Sequence, residues 1–134
     1  MNAVDILSKL ISFKTISETT NKELSKYISQ YLARYKIKSQ LFEGSPNQFN
    51  LYAKIGPNVD GGIILSGHTD VVPTDGQNWS TNPFQLVKKK NKLFGRGSCD
   101  MKGFIAVVLS LIPKIKISRL KKPLHLVFSY DEEI

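Results

Sequence analysis

The chain has 134 residues, 41% of them hydrophobic, which suits one compact domain or part of a larger one; its longest apolar runs, GGIIL and FIAVVLSLI, are far too short to cross a bilayer. Cys99 is the only cysteine, which excludes an intramolecular disulfide and a cysteine-based zinc knot and fits a reducing cytoplasm. The formal charge of +8 comes from 19 Lys and Arg against 11 Asp and Glu, yet only Arg34, Arg96 and Arg119 are arginines, so the balance reads as a lysine-rich solvated face rather than a specific nucleic-acid or membrane surface.

In chain order, residues 3–13 place Val4, Leu7, Leu10 and Ile11 on one helical face, with Asn2 as the cap and Asp5 near the positive helix end. This segment has no basic flank before Asp5 and reads as a helix, not a signal peptide. FKTISET breaks the pattern. TNKE at 20–23 reads as a capping box, followed by a stripe of Leu24, Tyr27, Ile28, Tyr31, Leu32 and Tyr35 that predicts a second helix ending near Lys36. Strands are expected at 39–43, 49–55 and 62–67, separated by the turns GSPN and GPNVDGG. The Ile63, Ile64, Leu65 run has no alternation and predicts a strand buried on both faces. FQLVKKKNKLFG reads as two short strands around a turn, MKGFIAVVLSLI as a helix stopped near Pro113, and PLHLVFSY (123–130) as another buried strand ending at DEE. The order is that of an α/β layer arrangement, in which ligand sites form beyond the carboxyl ends of strands.

Three segments deliver polar residues to that edge. His68 and Asp70 form an H-x-D pair, in which the carboxylate can fix the tautomer of a ligating imidazole; alone such a pair is as well explained by surface polarity. Glu132 and Glu133 are adjacent on an extended segment and point to opposite sides, so one can ligate while the other shuttles protons, or both can be an acidic strand end in water. Asp100 lies in the glycine-rich turn GRGSCDMKG, and its two oxygens can bridge two cations at the spacing of two-metal hydrolytic sites. GRG lacks the spacing of a phosphate loop. Cys99 is a possible soft ligand but reads better as a small buried residue beside the site. His125 reads as a satisfied core or interface histidine, and Lys102 as a local electrostatic element or equally as a solvated helix start.

The motifs SGHTDVVPTDGQNW, NPF, LFGRGSCDMKGFIA and SYDEE together resemble the N-terminal part of the M20 family of metal-dependent aminoacylases and peptidases. DGQNW and GSCDMKGF are most similar to its acetylornithine deacetylase subgroup, although the succinyl-diaminopimelate desuccinylases share the H-T-D pair and the GRG and DMKG elements. The resemblance covers essentially the whole chain. It implies an α/β fold, a mixed sheet with flanking helices, with residues 1–134 forming an incomplete N-terminal part of a zinc-dependent exopeptidase-like catalytic domain. It implies His68, Asp100 and Glu133 as metal ligands, with Asp100 shared between two zinc or cobalt ions, Asp70 as the support of His68, and Glu132 as the general base. An unusual backbone, such as a cis bond, is expected at Asp100–Met101.

The implied activity is hydrolysis of an N-acyl amino acid such as N-acetylornithine in arginine biosynthesis, in the cytoplasm, by an enzyme whose complete relatives are homodimers. Desuccinylase or dipeptidase activity is the alternative within the resemblance. Relatives are longer and supply further ligands and a lid or dimerisation domain. The chain is therefore expected to be a truncated or split form, binding metal weakly, with little activity unless a separately encoded C-terminal half complements it; a non-catalytic remnant is the reading from another class.

Overall fold

A computed structural model describes residues 1–134. Helix α1 (Ala3–Ser12) opens with the expected cap: the Asn2 side chain accepts from Asp5 N at 3.0 Å and the Asp5 carboxylate accepts from Asn2 N at 3.3 Å. Its inward face is Ile6, Leu7, Leu10 and Ile11. Val4 stands in the first turn, 44% exposed, at a shallow groove shared with Leu93 and Val107, so the buried face starts at Ile6 and not at Val4.

Helix α2 (Lys22–Ala33) forms without the expected capping box. Its N-cap is Asn21, whose side chain turns into the protein: the amide donates to Phe49 O at 2.8 Å and Thr69 Oγ1 at 2.9 Å, and its oxygen accepts from Phe49 N at 2.8 Å. Thr20 Oγ1 accepts only from Lys22 N, and Glu23 faces Lys26 instead of the cap. Tertiary bonds to buried backbone outweigh the local cap. The stripe behind it buries Leu24, Ile28, Tyr31 and Leu32 as expected, and Tyr31 donates to Leu109 O at 3.0 Å.

Strands β1 (Ser39–Glu43), β2 (Phe49–Ile55), β3 (Ile63–His68) and β6 (Leu124–Ser129) form one mixed sheet in the order β1-β2-β6-β3. β6 enters between β2 and β3, antiparallel to the first and parallel to the second. Strand alternation puts Leu51, Ala53, Ile55, Leu126 and Phe128 on one face, where they meet all three helices in a single core. Full burial of each such Leu, Ile or Phe stabilises by about 1.5–3 kcal/mol. Tyr52, Lys54, His125 and Val127 face the other way. His125 is satisfied there, between Tyr52 Oη at 2.9 Å and Gly61 O at 3.2 Å.

The start of β3 departs from the sequence expectation. Ile63 is 60% and Ile64 64% exposed. β3 is an edge strand, and the helices cover one face only, so a non-alternating apolar run does not here mean two covered faces. Leu65 borders an apolar groove of about 320 Å³ between β3, β6 and the end of α3 (Lys102–Leu111). The KKKNK segment makes the expected hairpin between β4 (Val87–Lys89) and β5 (Lys92–Phe94), and its turn residues Lys90 and Asn91 have φ of 46° and 60°, as a two-residue type I′ turn requires. At the other end of β3 the sequence narrows to Gly67, where a Cβ would lie 3.2 Å from Met101 and Phe104 side-chain atoms. The missing side chain lets the start of α3 approach the strand end, which brings the 95–101 loop against His68.

Candidate metal centre

β3 and β6 run parallel with His68 paired to Ser129, so both carboxyl ends open on one rim. Thr69 fastens the two exits: its N–H and its hydroxyl both donate to Ser129 O at 2.8 Å. His68 is 5% exposed. Its Nδ1–H donates to Asp70 O at 3.0 Å, with Asp70 Oδ1 at 3.3 Å, which leaves Nε2 as the nitrogen presented to the rim. Nε2 lies 3.0 Å from Asp100 Oδ1 and 3.7 Å from Glu132 Oε2. Burial opposes charging of this imidazole, but the Asp100 bond, Asp70 and the Glu132 charge together hold its pKa above the ordinary histidine value.

Asp70 is 2% exposed and fully engaged. Its carboxylate accepts from Ser17 Oγ at 2.7 Å, Glu132 N at 3.1 Å and Glu133 N at 3.2 Å. Burial alone would raise its pKa; the Ser17 bond, the two backbone N–H groups and His68 outweigh that and hold it below the usual carboxylate range. Both amides lie past the end of β6, and the left-handed turn at Asp131, with φ of 50°, bends the chain away from the strand direction just before them.

The ligand atoms of His68, Glu132 and Glu133 lie within 4.8 Å of one another. Asp100 touches the same imidazole from a mostly exposed position on the loop before α3, and the Asp100–Met101 peptide is cis, the irregularity expected at that bond. The Glu133 carboxyl has its pKa raised, first by desolvation and then by the charge of Asp100, against a pull from His68 that exceeds the further contributions of Asp70 and Glu132 taken singly. Crowded acids around one imidazole are the electrostatic state that a bound cation relieves. The donor set, one imidazole nitrogen and several carboxylate oxygens, suits a divalent cation. Its residues fit such an ion.

Two readings of residues around the centre are corrected. Lys102 is not at a solvated helix start: it is fully buried and its ammonium donates to Phe13 O at 2.7 Å. Burial pulls its pKa down to about 7, against the opposing pull of Asp70. Its aliphatic stem packs against Gly97, which has φ of 83° and where a Cβ would lie 2.7 Å from Val71. Cys99 is exposed rather than buried, because the loop carrying it turns outward before α3. Sequence reasoning passed over Ser17, inside a segment treated only as a break, and Asp131, whose signal was an Asp directly after a strand, a residue type that tolerates the left-handed region.

Residues 64–134 match the model of peptidase family M20/M25/M40. An acetylornithine deacetylase of Erwinia tasmaniensis is 43% identical over 99 residues, which cover 74% of this chain and 26% of that protein. The chain thus spans about a quarter of the length of the curated relatives it matches. Human carnosine dipeptidase 1 superposes with a TM-score of 0.82 at 23% identity over 98% of this chain and 32% of its own. An M20 family metallo-carboxypeptidase of Sulfolobus solfataricus gives 0.79 at 23% identity over 99% and 31%. These two likenesses bear out the mixed sheet with flanking helices as part of a larger catalytic fold. No helix is long and apolar enough to cross a membrane.

Proposed function

This chain belongs to the M20/M25/M40 peptidase family, and from that premise we propose that its rim is part of a hydrolytic metal centre acting on an N-acyl amino acid, N-acetylornithine in the first place, in the cytoplasm. The observation that carries the reading is the convergence of His68, Glu132 and Glu133 within 4.8 Å, with Asp100 on the same imidazole. His68, Asp100 and Glu133 are the holders of zinc or cobalt, and two ions would share Asp100. The ions supply Lewis acidity, which polarises the amide carbonyl and favours attack by water. Glu132 stays out of the holding set and works on protons: its exposed carboxylate takes the proton of the attacking water and returns it to the leaving amine. Asp70 keeps the His68 ring oriented, with Nε2 outward.

Three holders for two ions fall short of the three protein ligands that a catalytic zinc normally takes, so these 134 residues bind metal weakly and need donors from elsewhere for turnover. A complementary polypeptide is the source we favour, and the open edge of β3, with Ile63 and Ile64 exposed beside the apolar groove, supports it. The test is calorimetric titration with zinc or cobalt, followed by a deacetylation assay with and without a polypeptide supplying the rest of the relatives' length. Weak binding lost in His68→Ala and Glu133→Ala is expected, with complemented activity lost in Glu132→Gln while metal stays bound. Metal binding indifferent to both holder substitutions would overturn the proposal.

A further inference from the structure

We propose that Asp131 is a positioning residue of this centre: it holds the left-handed turn that brings the Glu132 and Glu133 amides onto Asp70 and so aims both glutamate carboxylates at His68. Its functional meaning rests on the metal-centre reading above; its geometry does not. A positive φ costs less for Asp than for most residues with a Cβ, and side-chain bonds at both oxygens fix the turn there. Both Asp131 oxygens are occupied by donors: Oδ1 accepts from Glu18 N at 2.8 Å and Oδ2 from Gln48 Nε2 at 2.7 Å. Gln48 is buried and also donates to Thr19 O at 3.1 Å. Glu18 has a positive φ of its own, 67°, which turns its N–H toward Asp131.

The segment from Thr15 to Thr19 is therefore a strap laid across the exits of β3 and β6. Thr15 O accepts from Val71 N, Ser17 N donates to Val71 O and Ser17 Oγ to Asp70, and Glu18 N reaches Asp131. Asp70 receives the two glutamate amides from inside while Asp131 fixes the turn between β6 and those amides from outside. With neither oxygen free, Asp131 stands outside the ligand set, and its role runs through Glu132 and Glu133.

The experiment compares wild type, Asp131→Ala and Asp131→Asn by amide exchange without metal and by cobalt titration followed in the visible spectrum. Asn keeps an oxygen for Glu18 N and offers an amide group toward Gln48, whose own amide can turn over to accept at the loss of its bond to Thr19 O. In Asp131→Ala, exchange at Glu132 and Glu133 should accelerate about tenfold while Val127 and Phe128 in β6 keep their protection. Cobalt affinity should fall about 10- to 100-fold, the range for loss of a residue supporting a ligand. Asp131→Asn should recover most of both. Unchanged Glu132 and Glu133 exchange in Asp131→Ala would overturn the proposal. So would an equal loss of protection throughout β2 and β6, which marks general destabilisation. If wild type binds cobalt no better than His68→Ala, the metal-centre reading fails, and the exchange pattern alone decides the role of Asp131.

Discussion

Replacing Asp70 by Asn keeps the shape of the side chain and removes one acceptor and the charge. One carboxylate oxygen faces Glu132 N at 3.1 Å, and the other faces Glu133 N at 3.2 Å and Ser17 Oγ at 2.7 Å. Whichever way the new amide sits, its NH2 confronts a backbone N–H. Ser17 can rotate to accept, but the N–H cannot, and a buried unpaired donor costs about 1–3 kcal/mol. The bonds that remain lose their charge assistance, so the total is about 2–4 kcal/mol. With a urea slope of about 2 kcal/mol per molar for a chain of this size, the midpoint should fall by about 1–2 M. The pH dependence gives a second reading. The Asp70 pKa is lowered by folding, so its contribution is complete above the unfolded value of about 3.9 and is lost as pH falls toward the lower folded value. The gap between wild type and Asp70→Asn should therefore narrow below about pH 4. A midpoint shift under about 0.3 M at pH 7, or a gap constant from pH 7 to pH 3, would refute the view that this carboxylate is an ionised acceptor for the two glutamate amides.

Two further outcomes follow from the titrating groups. Lys102 has its pKa lowered to about 7 in the folded chain, so the unfolded chain binds that proton first, and wild-type stability relative to Lys102→Met should rise between about pH 7 and pH 10.5, by about 1.4 kcal/mol per unit at most; urea melts across that range check the slope. The raised pKa of His68 means that a metal must displace a proton from it starting above pH 6.5, so the fall of zinc affinity with falling pH should set in above that value, and this part of the fall should vanish in His68→Ala.

Local rules carried the sequence reading where local forces decide. The Asn2–Asp5 cap, the KKKNK turn and the α2 stripe involve neighbours three or four residues away, and each formed as expected. The motif residues His68, Asp70, Glu132 and Glu133 were visible because each closes or follows an apolar strand, and Asp100 because it sits in a glycine-rich turn ahead of an apolar helix; they meet at one rim. What stayed hidden depends on partners far along the chain. Asn21 sits at the N-cap but spends its side chain on residues 28 and 48 positions away. Lys102 is buried because its ammonium finds a carbonyl 89 positions back, at the end of α1. Asp131 reaches Glu18 across 113 positions. Ile63 and Ile64 misled because hydrophobicity alone does not say which edge of a sheet a strand will occupy.

The place of β6 between β2 and β3 has a consequence for the order of assembly. β6 follows both of its neighbours in the chain, so during synthesis β2 and β3 have no common partner until residues 124–129 emerge. Until then the helices and the β1–β2 and β4–β5 hairpins can form, while β3 waits without a strand partner. Non-local strand pairing of this kind is slow and open to misassociation. A ribosome stalled before residue 124 would display His68 on an unpaired strand, and the same late insertion that zips the sheet would deliver Glu132 and Glu133 to it, making sheet closure and the meeting of these side chains one step.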